Sequence, residues 1–383
     1  MPLNRRTLIL GGLSGSTALV TPSGFAQSSK EPRKLVLGQS VPLTGAADQI
    51  GLAYFNGAKM YFDSINEKNG VAGYKIEVKV LDDGYDATVA ARNAKQFIDI
   101  KVDALFGFVG TASSDAASAV AKASGVIFFA PFAASDSLHA PDVTHVFHVR
   151  PALSDEAYKV VRHCATLNQD RIAVFAEDDA MGRAGLAAVN EALVDLKRPA
   201  IIAHALSPVN SDKVEAAVTT LMNAQPQAII MFSLFNSSAA FIKKMRRAGF
   251  VGQFLTFSVV GIDPLFSALG KDIGGVVVSQ VVPSPRNTGS PIVREYLDVL
   301  NQTDQAPSYE SIEGYIAARA FAQGVQRSTL GNGKPDRPGL QKAFESMTNA
   351  DIGGFRINLR AKKYESVRAI DLVSITSGGK TLR

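Results

Sequence analysis

The sequence contains a single cysteine, Cys164, and no tryptophan among its 383 residues. One cysteine cannot form an internal disulfide, which excludes the disulfide framework that stabilises many small exported proteins. Cys164 follows Val160 and Val161 in a segment with the apolar spacing of an amphipathic helix. We therefore expect a buried, unreactive thiol at this position rather than a nucleophile.

Neither charge nor apolar residues dominate the composition. The chain has 40 Lys and Arg against 35 Asp and Glu, a formal net charge of +5, and the basic residues are not clustered. This distribution is not that of a nucleic-acid-binding protein. No apolar run after the first 26 residues reaches the length of a transmembrane helix, so we expect the mature chain to be soluble.

Motifs for nucleotide, metal or nucleophilic chemistry are also missing. There is no phosphate-binding G-x-x-x-x-G-K-[ST], no G-x-G-x-x-G after the first strand, no H-E-x-x-H, and no strand followed by G-x-S-x-G in the mature chain. His145 and His148 lie three apart in an extended segment, which would point them to opposite faces. We therefore expect a protein without cofactor or metal that is not an enzyme.

Two acidic clusters follow predicted strands. Asp82, Asp83 and Asp86 lack the alternating oxygen ligands of a calcium loop, so we predict turn and helix-capping roles for them. Glu177, Asp178 and Asp179 would face a cleft, but we predict a solvated loop there.

The N-terminal segment has the features of an export signal. Arg5 and Arg6 precede an apolar run from Leu8 to Val20, and Gly24-Phe25-Ala26 supplies a small-x-small cleavage site. The run is too short to span a bilayer. Residues 1–26 are therefore predicted to be a signal peptide that directs the protein to the periplasm. The paired arginines favour the twin-arginine route over the general one.

The rest of the chain alternates between strands and helices. A helix recurs about every 25–30 residues, which predicts an α/β fold with parallel sheets. The pattern restarts after Pro151, which indicates two similar lobes. Residues 355–376 near the C-terminus are predicted to form a pair of strands.

The most informative stretch runs from Asp103 to Ser137. Two uncharged runs, Ala104–Val109 and Val126–Ala130, are predicted to be buried parallel strands. They lead into the polar loops Thr111–Asp115 and Pro131–Ser135, which would meet at one edge of the sheet, where ligands bind in open α/β sheets. The free N–H groups at a helix N-terminus suit an anion. Alternatively, Thr111 and the serines simply cap the helix.

Several segments, in order, resemble a known family. They are GQSVPLTGAADQIG, YKIEVKVLDDGYDA, FGFVGTASS, RIAVFAEDDAMGRAG, MRRAGFVGQF and YESIEGYIAARA. Together they are similar to the type I periplasmic binding proteins of ABC importers, in the leucine/isoleucine/valine-binding branch. The resemblance implies two Rossmann-like lobes joined by three hinge strands, with a ligand enclosed between them. Lobe one would comprise residues 33–152 and 282–361, and lobe two residues 153–281 and 362–383.

The resemblance also implies which residues contact the ligand. The hydroxyl that holds the ligand carboxylate corresponds to Thr111, helped by the following N–H groups of Ala112 and Ser113. The second loop would contribute the carbonyl of Phe132 and the N–H of Ala134, with Ser135 adjacent. The apolar walls correspond to Ile50, Met181 and Leu234.

Two family features are absent at the corresponding positions. The acid that receives the ligand ammonium in the family is replaced by Ser258. The family's small disulfide would join the positions of Tyr85 and Gly110, so it is absent from this chain. The ligand is therefore expected to be an amino acid or an amino-free carboxylate.

The implied partners are the permease subunits of an ABC importer, and the protein is expected to be a monomer. A ligand-sensing domain with a separate signalling partner, and an exported enzyme, are the alternative functions.

Overall fold

The structure is a computed structural model that describes residues 33–133 and 135–382. The predicted signal peptide and the predicted ligand contact Ala134 therefore lie outside the described residues.

The first sheet is formed by the N-terminal third of the chain. Its five strands are all parallel, in the order β2-β1-β3-β4-β5. The two central strands are uncharged and fully buried, as predicted. The strands are β1 (Arg33–Val41), β2 (Tyr74–Asp82), β3 (Ala104–Phe106), β4 (Ile127–Phe129) and β5 (Val146–Phe147).

Six helices belong to this half of the molecule. They are α1 (Asp48–Glu67), α2 (Ala87–Asp99), α3 (Thr111–Ser124), α9 (Pro291–Leu300), α10 (Tyr309–Ser328) and α11 (Arg337–Glu345). Glycines let α1 and α10 approach very closely. A Cβ on Gly57 would lie 1.8 Å from the carbonyl oxygen of Ser311, and one on Gly314 would lie 2.1 Å from that of Tyr54.

The second sheet has seven strands in the order β14-β13-β10-β9-β8-β6-β7. Its strands are β6 (Ile172–Glu177), β7 (Ala203–Ser207), β8 (Ala228–Phe232), β9 (Gln253–Thr256), β10 (Val277–Gln280), β13 (Asp371–Ile375) and β14 (Thr381–Leu382). Strands β6 to β10 run parallel to one another, β13 pairs antiparallel with β10, and β14 pairs antiparallel with β13. The helices of this half are α4 (Leu153–Thr166), α5 (Ala180–Asp195), α6 (Glu215–Ala224), α7 (Phe235–Arg247) and α8 (Ile262–Leu269).

The prediction for residues 355–376 is wrong in its pairing. The strand β12 (Phe355–Ile357) pairs with β11 (Ala350–Ile352) as a separate hairpin, and β13 pairs with β10 in the second sheet. Gly353 and Gly354 both have positive φ, 64° and 83°, which suits the tight turn of that hairpin. The turn therefore pairs β12 with the strand before it rather than with β13.

The chain passes between the two sheets three times. The crossings lie between β5 and α4, between β10 and α9, and between β12 and β13. The first and third run side by side, since the backbone N–H of His148 donates to the carbonyl of Leu359 at 3.2 Å. The residue bounds given above for the two lobes remain a prediction.

Cys164 is fully buried on α4, as predicted. Burial raises the pKa of its thiol to about 12, which keeps it protonated and unreactive. No helix of residues 33–133 and 135–382 combines the length and apolar content needed to cross a membrane.

Candidate functional site

A small cavity lies where loops of the two sheets meet. Its volume is about 20 Å³, which is room for roughly one water molecule. Five of the predicted ligand contacts line it: Ile50, Thr111, Phe132, Met181 and Leu234. The first three belong to the half with the first sheet and the other two to the half with the second sheet. The fold thus brings distant predicted residues together around one point.

Thr111 is the first residue of α3 and is 7% exposed. The N-cap is Gly110, which has no side chain to cap the helix. The alternative that Thr111 caps this helix is therefore wrong. Since the first N–H groups of a helix have no partner within it, the hydroxyl of Thr111 and the N–H groups of the first turn together present hydrogen-bond donors.

Phe132 is held against the loop that carries Thr111. Its carbonyl accepts from the N–H of Gly110 at 3.1 Å, and its own N–H donates to the carbonyl of Phe108 at 2.8 Å. The predicted ligand acceptor is thus already engaged, although a carbonyl has a second lone pair. The Phe132 ring packs edge-on against Tyr54, with the centroids 5.2 Å apart.

The second half of the molecule contributes an apolar wall. Met181 lies in the first turn of α5, whose N-cap Asp179 accepts from the N–H of Gly182 at 2.8 Å. Leu234 is the N-cap residue of α7, and Val259 follows β9. The side chains of Met181, Leu234 and Val259 are uncharged and provide apolar contact area.

Sequence reasoning missed several lining residues. They are Ala47, Tyr85, Val109, Gly110, Ala133 and Val259. Tyr85 lies in the loop at the carboxyl end of β2, and this position is the signal from which its place at the site could have been predicted. Burial, helped by the nearby carboxylates of Asp179 and Glu177, raises the pKa of Tyr85, so its hydroxyl stays protonated.

The other predicted contacts do not line this cavity. Ala112 is exposed and Ser113 is buried within α3. Ser135 donates to Asp115 at 3.0 Å. Ser258 is buried in a polar cluster. Each of these lies near a lining residue in sequence but does not itself line the cavity.

A second, larger cavity also borders Thr111. Its volume is about 1160 Å³, and it lies between the segment 135–141, helix α5 and the third crossing. Its polar lining includes Ser135, His148, Asp155, Glu191 and Arg360. Thr111 borders both cavities, so solvent or a ligand could approach the smaller one from this side.

Glu177 corrects the prediction of a solvated acidic loop. It is completely buried and accepts hydrogen bonds from the Ser237 hydroxyl at 2.6 Å and the Asn210 N–H at 2.8 Å. Burial raises its pKa to about 7. Asp178 alone is exposed, paired with Arg183.

The first acidic cluster has the predicted turn and capping roles. Asp82 accepts from the backbone of Leu43 and Gly84, and Asp86 caps α2 through the N–H of Thr88. In the part of the chain that the structure describes, no three His, Cys, Asp or Glu side chains group as metal ligands would.

A buried charged cluster lies beside the cavity, around Ser258. The carboxylate of Glu156 accepts from the Ser258 N–H at 3.1 Å, from its hydroxyl at 3.0 Å, and from the Ser279 hydroxyl at 2.5 Å. Arg150 donates to the same Ser258 hydroxyl. Burial raises the pKa values of Glu310 and Glu313 to about 7, and the guanidinium of Arg150 opposes the shift in both.

Comparisons with known proteins agree with this architecture. A family model described as periplasmic binding protein matches residues 34–380. A curated relative, Leu/Ile/Val-binding protein homolog 3 of Brucella melitensis, is 21% identical over 354 residues, covering 89% of this chain and 93% of the relative.

Solved structures show the same fold. A possible leucine/isoleucine/valine-binding protein from Rhodopirellula baltica has a TM-score of 0.85 at 27% identity, covering 92% of this chain and 97% of its own. A branched-chain amino acid ABC transporter structure from Thermus thermophilus with bound valine has a TM-score of 0.82 at 15% identity, covering 91% and 95%. The resemblance drawn from the sequence motifs and the predicted type I periplasmic binding protein fold are confirmed.

Proposed function

We propose that this chain, which belongs to the periplasmic binding protein family over residues 34–380, captures an amino acid or a related small carboxylate between its two halves. One observation carries the proposal. Ile50, Thr111 and Phe132 from one half meet Met181 and Leu234 from the other around a single cavity. Thr111 and the first turn of α3 would hold the carboxylate, because a helix N-terminus favours an anion.

The apolar walls would then receive the rest of the ligand. A cavity of about 20 Å³ is far smaller than an amino acid, so the halves must separate for a ligand to enter. The three crossings would act as the hinge. One contact that must break is the hydrogen bond from the Asn210 side chain to the carbonyl of Ala46, 3.0 Å long, which joins the two halves. Ligand binding would then shift the population toward a closed state.

We further propose that the protein works in the periplasm and delivers its ligand to the permease of an ABC importer, without catalysis. The predicted export signal supports this location. The Thermus thermophilus neighbour with bound valine supports a role in uptake of small amino-acid-like ligands. The apolar walls formed by Ile50, Met181 and Leu234 suit a ligand with an aliphatic or aromatic side chain.

The test is identification of the ligand. Mass spectrometry of small molecules released from gently purified protein is expected to find a carboxylate of amino-acid size. Calorimetry with that compound should give one site per chain, and the compound should be recovered unchanged. Turnover of the compound, or failure of every small carboxylate to bind, would contradict the proposal. Retention of full affinity in a variant with Thr111→Val would contradict the assignment of the site.

A further inference from the structure

Arg150 is a buried cation that contacts residues at the wall of the candidate site. It lies on the first crossing, directly before Pro151, and its side chain has no exposure to solvent. Its Nη2 donates to the Ser258 hydroxyl at 2.5 Å. Its Nε lies 3.5 Å from the Oε1 of Glu313 without meeting hydrogen-bond geometry.

Most of the hydrogen-bonding capacity of Arg150 is therefore unused. A guanidinium has five N–H donors, and both Nε and Nη1 are buried without a hydrogen-bond partner among the described residues. Leaving the buried N–H groups of a charged side chain unpaired is unfavourable, because they have lost water without gaining a hydrogen bond in exchange. Unpaired buried N–H groups of this kind are expected at a site where a bound ligand supplies the hydrogen-bond acceptor.

The position of Arg150 puts these donors next to the cavity. Its guanidinium carbon lies 4.3 Å from the centroid of the Phe132 ring, and Phe132 lines the cavity. Its partner Ser258 is followed by Val259, which lines the cavity from the other half. Arg150 thus contacts both halves immediately behind the wall.

We propose that Arg150 is a specificity-determining residue that donates to an oxygen on the ligand carbon next to the carboxylate, so that the site prefers 2-oxo carboxylates to 2-amino carboxylates. This rests on the proposed function, since it requires a carboxylate held at Thr111. A carbonyl oxygen offers lone pairs to the unpaired donors of Arg150. An ammonium offers none, and its positive charge is repelled by the guanidinium.

Two of the three carboxylates near Arg150 are already engaged. Glu156 is committed to the N–H and hydroxyl of Ser258 and to the hydroxyl of Ser279. Glu313 faces Arg150 itself. Two carboxylate oxygens remain buried without a hydrogen-bond partner among the described residues, the Oε1 of Glu310 and the Oε2 of Glu177. Glu177 is tied through its other oxygen to Asn210 and Ser237 in its own half, and like Arg150 it does not itself line the cavity.

Three acids with one carbon skeleton test the proposal. Leucine, 4-methyl-2-oxopentanoate and 4-methylpentanoate carry an ammonium, an oxo group and no substituent at the same carbon. Calorimetric titration of the wild-type protein is expected to rank the oxo acid at least about tenfold tighter than the unsubstituted acid, with leucine no tighter than the unsubstituted acid. Phenylalanine, phenylpyruvate and 3-phenylpropanoate form a second set in case the walls favour an aromatic ring.

A tenfold preference for either amino acid would overturn the proposal, because a spare carboxylate oxygen, that of Glu177 or of Glu310, would then be receiving the ammonium. Equal affinities of the oxo and unsubstituted acids would overturn it too, since the donors of Arg150 would then have no effect on the ligand.

The variant Arg150→Lys separates ligand recognition from a structural role. Lysine keeps the positive charge but loses the planar fork of donors. The advantage of the oxo acid over the unsubstituted acid should fall to about threefold or less, while the affinity of the unsubstituted acid stays within about threefold of wild type. A uniform loss for all acids would show that Arg150 only joins the two halves, and would overturn the proposal. If this variant does not fold, a double variant with Arg150→Gln and Glu313→Gln, which removes both members of this ion pair together, is measured in the same way.

The variant with Thr111→Val distinguishes the two proposals. It should weaken all three acids alike, because it removes the carboxylate contact and leaves Arg150 in place. If no small carboxylate, including those of both sets, binds the wild-type protein, the proposed function fails, and this inference with it. If the acids bind at the Thr111 site without an oxo preference, this inference alone fails.

Discussion

The ring of Tyr85 lies directly over Gly110. A Cβ added to Gly110 would be only 2.7 Å from the Cε2 of Tyr85, and both residues have positive φ, 67° for Tyr85 and 104° for Gly110. These are the positions at which the family resemblance implied a disulfide. Packing of the Tyr85 ring against the backbone of Gly110 therefore connects their two loops at the rim of the candidate site.

Replacing Gly110 by alanine should destabilise the protein more than the same change at Gly125. Gly125 also has a positive φ, 61°, but an added Cβ there meets nothing within 4 Å, so only the backbone cost of about 1–2 kcal/mol applies. At Gly110 the tyrosine ring must also move. Chemical denaturation of the two variants should differ by at least about 1 kcal/mol. Equal losses would mean that the Tyr85 contact does not constrain the loop.

Removing the Thr111 hydroxyl should weaken ligand binding. A hydrogen bond to a charged group contributes roughly 1.5–3 kcal/mol, so Thr111→Val should lower affinity about ten- to hundredfold. Thr111→Ser keeps the hydroxyl and should stay within about threefold of wild type. Because the N-cap is Gly110, the unfolding free energy should change little. An affinity for Thr111→Val within twofold of wild type would refute the anion site.

Ligand binding should stabilise the protein and make it more compact. At about 100 times the dissociation constant, a single-site ligand contributes about 2.7 kcal/mol. Thermal unfolding is the suitable measurement, since the chain has no tryptophan to report by fluorescence. Small-angle scattering should give a smaller radius of gyration with ligand than without. An unchanged radius would count against hinge closure.

Neutralising Glu177 should change the pH dependence of stability. Its pKa is about 7 in the folded protein, against an ordinary 4.5, because burial penalises the charge and nearby Asp179 adds to the effect. The folded state therefore holds this proton more tightly than the unfolded chain. That contribution is present below about pH 4.5 and is lost as the pH rises through 7.

The variant with Glu177→Gln cannot lose this proton. Its unfolding free energy relative to wild type should rise by up to about 3 kcal/mol between pH 5 and pH 8, as measured by denaturation at each pH. Asp178→Asn, which makes the same kind of change at the exposed neighbour, is the control. A pH-independent difference for Glu177→Gln would show that the buried carboxyl does not titrate in this range.

Much of the architecture follows from local patterns. Strands β3 and β4 were predictable because uncharged apolar runs bounded by polar loops can only be buried. The wall residues Ile50, Met181 and Leu234 were located by the order of family motifs, and the structure brings them together. Loops after parallel strands meet at one edge of a sheet, so their sequence positions suffice to place them near one another.

Other features depend on partners far away in the chain. Arg150 and Ser258 are 108 positions apart, and nothing in either neighbourhood indicates the hydrogen bond between them. Glu177 is also beyond local prediction, because its burial depends on Asn210 from the loop after β7 and on Ser237 from helix α7. The pairing of β13 with β10 is likewise long-range, and its alternating residues would suit either partner.

The sequence by itself determined the class of fold and the two-sheet organisation, because burial and backbone preference act locally and leave periodic patterns, and the order of family motifs located five of the residues that line the cavity. Only the tertiary structure decided how Thr111 begins its helix, which acids are buried and where the donors of Arg150 lie. Those outcomes depend on which polar groups are buried together and which hydrogen-bond partners they find there. Both are decided only by the complete packing of the chain.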